Sequence, residues 1–181
     1  MIIRDKDRYI NVYDGWESFI VDDWVAKLEQ LGFSDVKIAY SGFCSQGDGA
    51  SFTGNVDVAA FITAHPEHSD LNACIPFASG LDVKLYRMSS MYYHWNTVGV
   101  DFNDYNLNPY LTLDGEDSMR HIVWACAYEE AQKLFDMLNC AIHDTARSYM
   151  KEIYRELENE FDSLISDEAV LEALAAQELA A

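Results

Sequence analysis

A stripe of apolar residues at helical spacing runs through positions 119–165 and constrains the fold more than any other feature of the sequence. Apolar residues that recur every three or four positions are typical of one face of an α-helix. The pattern therefore predicts a helix over 119–165, which would be roughly 70 Å long at about 1.5 Å per residue. A break is compatible with the weak helix formers between Asn139 and Asp144. Ser166 is placed to cap a final helix.

The chain before this stripe begins with a second helical pattern and continues with strand patterns. Apolar residues at three- and four-residue spacing predict a helix over 16–31, and Gly32 is placed to end it. Polar and apolar residues then alternate on both sides of a glycine-rich turn. This alternation predicts a β-hairpin over 36–54.

The middle of the chain again has a helical pattern followed by strand patterns. A short helix is predicted over 56–64, and alternating or aromatic-rich segments over 82–90 and 92–102 predict a second antiparallel pair of strands. No linker divides the chain. We therefore expect a single α+β domain over residues 1–181, in which an N-terminal helix and a long C-terminal helix pack on a small antiparallel sheet of hairpins.

The charge of the chain is strongly negative and excludes whole classes of function. There are 31 acidic and 12 basic residues, which give a formal net charge of -19 and a pI of about 4.3. Nucleic-acid phosphates and anionic membrane surfaces both attract clustered Lys and Arg, so we expect no direct binding to nucleic acid or membrane. The charged start from Met1 to Arg8 is unlike a signal peptide. We expect a cytoplasmic protein.

The cysteines and histidines indicate neither a metal site nor a cofactor. No two cysteines have C-x-x-C spacing, and we interpret them as reduced thiols, mostly in the core: Cys44, Cys74, Cys126 and Cys140. His65 and His68 lack a third ligand at a useful spacing. Because Pro66 lies between them, we expect both histidines in an exposed loop.

The segment from Ser41 to Ala50, S-G-F-C-S-Q-G-D-G-A, has the composition of a turn, because Gly permits positive φ and Asp bonds to nearby backbone. We predict that Gly47 or Gly49 takes positive φ. In the simpler interpretation, the glycines serve only the geometry of a hairpin turn.

A functional interpretation of the same segment remains open. Its backbone N–H groups would cradle an anion, with Asp48 or Ser45 as a polar contact. If the segment belongs to an enzyme site, the site residues would be Ser45, Gln46, Asp48 and His94. Cys44 as a nucleophile with His94 as its base is another arrangement that the sequence permits.

The acidic residues form two candidate partner-binding surfaces. Glu152, Glu156 and Glu160 are four residues apart and share one face of the predicted helix. A second patch lies in an Asn- and Asp-rich segment without Lys or Arg and comprises Asp101, Asp104, Asp114 and Asp117. Such surfaces keep a protein soluble, and they also suit a basic partner. We expect the glutamates to be exposed, so that reversing their charge would affect folding little.

Several strings of the sequence resemble a family of small bacteriophage and mobile-element proteins. The family carries S-G-F-x-S-Q-G-D-G-A-x-F-x-G after a Trp-containing helix, which is similar to residues 41–54. The resemblance continues in order at Tyr-Tyr-His (92–94), at 153–158 and at 166–170. The chain departs from the pattern at Cys44, where an aromatic residue is common, and in the Ala-rich tail after Leu171. The resemblance implies a phage origin, with antitoxin-like members, and assigns no catalytic residue.

Charge and resemblance together predict an inhibitor of the anti-defence, anti-CRISPR or antitoxin type. Its partner would be a bacterial nucleic-acid-binding protein, such as a nuclease of a defence or toxin system, whose basic groove the carboxylates occupy in place of phosphates. The alternative is a small hydrolase or nucleotide-modifying enzyme with its site at the Ser45–Gly49 loop and His94. Association into a homodimer stays open.

Overall fold

The structure, a computed structural model, describes residues 3–4, 7–89, 91–103 and 118–180. Within these ranges, the chain forms four α-helices, four β-strands and the two 3-10 segments named below. In chain order they are α1 (Ser18–Gln30), β1 (Phe33–Tyr40), β2 (Ala50–Val56), α2 (Val58–Ala64), a 3-10 segment (Pro66–Gly80), β3 (Asp82–Arg87), a 3-10 turn (Trp95–Thr97), β4 (Val98–Asn103), α3 (Ser118–Leu164) and α4 (Asp167–Ala180).

The four described strands form one antiparallel sheet in the order β1-β2-β3-β4. Each strand pairs with the next along the chain, as shown by Ile38 opposite Phe52, Val56 opposite Val83 and Leu85 opposite Val100. The two predicted hairpins are therefore joined edge to edge by the pairing of β2 with β3. This confirms the predicted α+β fold with a small antiparallel sheet.

Helices cover one face of this sheet and build the core there. Alternate residues of β3, Val83 and Leu85, are buried, as expected for a sheet with one covered face. In β2, Phe52 and Val56 are buried as well. α1 contacts β1, and α3 contacts β2 and β4. The two helices run antiparallel, because Trp16 lies against Phe161 of α3 and Trp24 lies against Tyr149.

The long helix is continuous where the sequence allowed a break. Leu138, Ile142 and Met150 are fully buried along α3, so packing outweighs the weak intrinsic propensity of Asn and Asp around them. Ser166 caps α4 as predicted, because its Oγ accepts the N–H of Ala169 at 3.3 Å.

The second strand pair is shorter than predicted. β3 ends at Arg87, and β4 begins at Val98 rather than at residue 92. The preceding turn is held by Thr97, whose Oγ1 donates to the carbonyl oxygens of His94 at 2.7 Å and Tyr92 at 3.2 Å. Side-chain bonds of this kind compete with strand pairing, so aromatic residues that suit a strand lie here in a turn.

Candidate functional site

One carboxylate organises the loop 41–49 between β1 and β2. Asp48 Oδ2 accepts the backbone N–H of Ser45 at 2.7 Å and that of Cys44 at 2.8 Å. The N–H of Asp48 donates back to the carbonyl oxygen of Ser45 at 3.1 Å. Because the loop's own carboxylate engages these N–H groups, the geometry favours a self-contained turn over a cradle for a bound anion.

Aromatic packing ties this loop to the long helix. The Phe43 ring lies 5.0 Å from the ring of Phe161 and 5.4 Å from that of Tyr154, centroid to centroid. The Tyr154 hydroxyl donates to the carbonyl oxygen of Gly42 at 3.1 Å. The loop is therefore anchored from within by Asp48 and from outside by α3.

The prediction for the turn glycines is wrong. Among the described glycines, positive φ occurs at Gly15 and Gly32, and not at Gly47 or Gly49. Gly49 is instead required by a close approach: a Cβ on it would lie 2.8 Å from the Cα of His94. At Gly47 the nearest atoms belong to the Tyr92 ring, 3.7 Å from such a Cβ, so this position is far less restricted.

His94 lies beside the loop, but the hydrogen bonds do not make it a general base. Its Nδ1 accepts the N–H of Asn96 at 3.1 Å and caps the 3-10 turn, so the neutral ring carries its proton on Nε2. Burial lowers the pKa of His94, and Lys151 and Arg147 of α3 lower it further. Within the described part of the chain, no hydrogen bond joins His94 to Cys44, the nucleophile that the sequence permitted. None joins it to the candidate site residues Ser45 and Gln46 either.

The candidate acidic surface on α3 is partly engaged in packing. Glu160 is exposed and Glu152 is half-buried. Glu156 Oε2 accepts the indole N–H of Trp24 in α1 at 2.8 Å. Trp24 is 1% exposed, so Glu156 is this buried donor's partner. Glu156 is exposed, as expected, but charge reversal there would remove the acceptor of this buried donor, so we expect it to destabilise the fold.

Of the second candidate acidic patch, one residue lies within the described part of the chain. Asp101 is exposed on β4, opposite Lys84 of β3. Asp104, Asp114 and Asp117 lie outside the described residues.

His65 and His68 are positioned differently from the predicted exposed loop. His65 is 2% exposed; its Nδ1 donates to the carbonyl oxygen of Phe61 at 2.7 Å, and its Nε2 accepts from the Tyr149 hydroxyl at 2.8 Å. His68 Nε2 lies 3.2 Å from Thr145 Oγ1. Both histidines therefore connect the 3-10 segment to α3. No local pattern marks this role, because Tyr149 is 84 positions away from His65.

The exposure of the cysteines differs from what the sequence predicted. Cys44 and Cys140 are exposed and Cys74 is buried, and all three are free thiols; the predicted core position is thus wrong for two of them. Among the described residues, no group of His, Cys, Asp and Glu side chains has the arrangement of a metal site. In the same part of the chain, no helix combines the length and apolar character needed to cross a bilayer.

These features define an acidic α+β domain in which an antiparallel helix pair covers one face of a four-stranded sheet. The chain matches the family described as "Domain of unknown function (DUF8835)" over residues 16–167 and belongs to that family. The match begins at Trp16, just before α1, and ends at the start of α4. No curated protein and no solved structure matches the chain.

We expect the pH dependence of stability to reveal the role of Asp48. Hydrogen bonds from the backbone N–H of Ser45, and then of Cys44, lower the pKa of Asp48. A carboxyl whose pKa is lower in the folded state stabilises the fold above its unfolded pKa of about 3.9, and this stabilisation is lost as the pH falls through the folded pKa. Asp48→Asn should therefore lower the melting temperature at neutral pH, and the difference from wild type should shrink below about pH 4.

The matched control for this measurement is Asp162→Asn. Asp162 is exposed on α3, so its replacement removes the same charge without touching the loop. An equal loss of stability in both variants, or a loss at Asp48 that persists at low pH, would contradict the assigned role.

Proposed function

We propose that this chain is an acidic binding protein of phage origin that acts in the host cytoplasm by occupying the basic groove of a nucleic-acid-binding protein. The mechanism is competition without turnover: carboxylates take the positions of nucleic-acid phosphates. The target class is a nuclease of a bacterial defence or toxin system. Support comes from the net charge of -19 together with the resemblance of residues 41–54 to phage proteins.

The observation that carries the proposal is the set of exposed carboxylates on the α1–α3 helix pair that form no salt bridge with Lys or Arg among the described residues. Within the described residues, the salt bridges of Lys and Arg are Arg4–Asp7, Arg8–Asp167 and Lys84–Asp82. None of them involves an acidic residue of α1 or α3. Exposed acidic residues on the two helices include Asp22, Asp23, Glu29, Glu160 and Asp162.

Such a surface has a clear physical consequence for association. Concentrated charge of one sign attracts an oppositely charged partner over a distance and accelerates encounter, and salt weakens the attraction. On a helix, the positions of Glu152, Glu156 and Glu160 repeat every ~6 Å. Because the three residues lie on one helix, the spacing of their backbone positions is set by the helix.

The enzyme alternative has weaker support. The structure brings His94 and the Ser45–Gly49 loop together through the contact of Gly49 with His94. The Nδ1 of His94 is used by a backbone N–H and the Asp48 carboxylate is used by two more. Both groups therefore stabilise the local backbone.

Charge reversal at two sites of α3 tests the proposal. The double variant Glu152→Lys/Glu160→Lys spares Glu156 and its bond to Trp24. The wild-type protein, immobilised, should capture a nucleic-acid-binding protein from bacterial lysate, and DNA or RNA should compete with capture. The variant should associate with the captured protein about tenfold more slowly, mainly at low salt.

Two control variants make this experiment specific. Glu168→Lys/Glu172→Lys changes the net charge equally at exposed positions of α4 and should slow association much less. Ser45→Ala/Gln46→Ala alters exposed loop side chains and should leave binding intact. If the α3 reversal is tolerated while the loop variant is folded and inactive, the inhibitor proposal fails and the enzyme alternative replaces it.

A further inference from the structure

Two cations of α3 lie against the β3–β4 turn. Arg147 Nη2 donates to the carbonyl oxygen of Asn96 at 3.4 Å, and Lys151 Nζ lies 5.7 Å from the centroid of the Trp95 ring. The two residues are four positions apart and therefore project from the same side of the helix. The Trp95 ring in turn lies 3.7 Å from the ring of His94, centroid to centroid.

Among the described residues, these two cations have no acidic partner. Neither Arg147 nor Lys151 takes part in a salt bridge there. Arg147 Nε is buried and has no hydrogen-bond acceptor in the same part of the chain. A buried donor without an acceptor costs free energy, and such a group in a native fold calls for an explanation.

The electrostatics of the neighbouring histidine agree with this geometry. His94 is faced by Lys151 and Arg147 from α3 and by Gly49 from the β1–β2 loop, and its own Nδ1 is bonded to Asn96. Burial and the two cations lower the pKa of its ring. The two cations are thus close enough to the ring of His94 to act on it electrostatically.

We propose that Arg147, Lys151 and His94 form a binding site for the phosphate group of a small phosphorylated molecule. The guanidinium group of Arg147 can donate two parallel hydrogen bonds to a phosphate. After a modest rotation of the side chain, one of these bonds can come from Nε. Lys151 adds a point charge, and the Nε2–H of His94 adds a donor. The exposed ring of Tyr92 and the half-buried ring of Trp95 offer stacking surfaces for an aromatic portion of the ligand.

The cluster is separate from the acidic surface of the proposed function. It has the opposite charge, and its cations stand against the β3–β4 turn. The carboxylate of the neighbouring loop, Asp48, is already bonded through Oδ2 to two backbone N–H groups. Phosphate binding can therefore be tested without knowledge of a macromolecular partner.

Inorganic phosphate is the first probe, compared with chloride at equal ionic strength. Phosphate should raise the melting temperature of the full chain and raise the pKa of His94, measured by NMR titration of the imidazole, because an anion offsets the two cations. Arg147→Gln/Lys151→Gln should weaken phosphate binding by about tenfold or more. Lys151→Gln alone gives the same direction of change if the double variant does not fold.

A matched variant and a second probe complete the test. Arg155→Gln removes one positive charge, as Lys151→Gln does, at an exposed position one turn further along α3, and it should leave phosphate binding unchanged. Adenosine monophosphate should bind more tightly than inorganic phosphate if the aromatic rings contribute. The proposal is overturned if phosphate acts no differently from chloride, or if the double variant and Arg155→Gln bind phosphate like wild type.

Discussion

Gly32→Ala should lower the free energy of unfolding by about 3 to 5 kcal/mol, a large part of the stability of a domain of this size. Gly32 has a φ of +90°, a conformation that L side chains rarely adopt. A Cβ at this position would also overlap the backbone nitrogen of Phe61 and lie 2.7 Å from its Cα. These are backbone atoms of α2, so relief requires that the whole helix moves. Urea unfolding at neutral pH measures the loss.

Gly15→Ala separates the two causes of this effect. Gly15 has a similar φ of +84°, but a Cβ on it would meet nothing within 4 Å. We expect a loss of only about 1 kcal/mol there, from backbone strain alone. Equal losses in the two variants would show that the contact of Gly32 with α2 is unimportant.

Gly32 also shows how far sequence reasoning reaches. A glycine after an amphipathic stretch predicts the end of a helix, and α1 does end there. The close approach to Phe61 could not be predicted, because it depends on how α2 packs against the start of β1. Local chemistry determines that the helix ends at this glycine. The packing of distant elements determines how strongly a side chain there would destabilise the protein.

The elements with strong periodicity were predictable for the same reason. α1 and α3 present apolar residues on one face, and that requirement is written directly into the spacing. The turn at 91–97 was not predictable. Tyr92 and Trp95 suit a strand by composition, yet the hydroxyl of Thr97 bonds to backbone carbonyls and closes a 3-10 turn instead.

The candidate sites show a similar limit. Helical spacing correctly placed Glu152, Glu156 and Glu160 on one helix, and it could not reveal that Glu156 accepts a hydrogen bond from Trp24, 132 positions earlier. The burial of His65 between Phe61 and Tyr149 could not be predicted from the sequence for the same reason. Long-range hydrogen bonds leave no period in the sequence.

The loop 41–49 between β1 and β2 illustrates how a distinctive motif can serve structure. Asp48 bonds to the backbone of its own turn, as the composition suggested. Phe43 packs against α3, and Gly49 allows the β3–β4 turn to approach. The string therefore has a structural role at each of these positions, and neither the acidic surface nor the Arg147–Lys151 cluster depends on a reaction at the loop.

Gly49→Ala should lower the free energy of unfolding by about 2 kcal/mol and displace His94. The added Cβ would lie 2.8 Å from the Cα of His94 and 3.2 Å from its Cδ2. Since Cα cannot move without the backbone of the turn, the 3-10 turn must shift away from the loop. The NMR signals of the His94 ring should change along with the melting temperature.

Gly47→Ala is the control for this last prediction. Its Cβ would stand 3.7 Å from the Tyr92 ring, an ordinary van der Waals distance, and its φ is not positive. We expect a change within about 0.5 kcal/mol and an unaltered His94 ring. If Gly47→Ala destabilised the protein as much as Gly49→Ala, the loop would need glycine for flexibility rather than for its contact with His94. A loss at Gly49 alone, with a displaced His94, would establish that this contact sets the position of the turn.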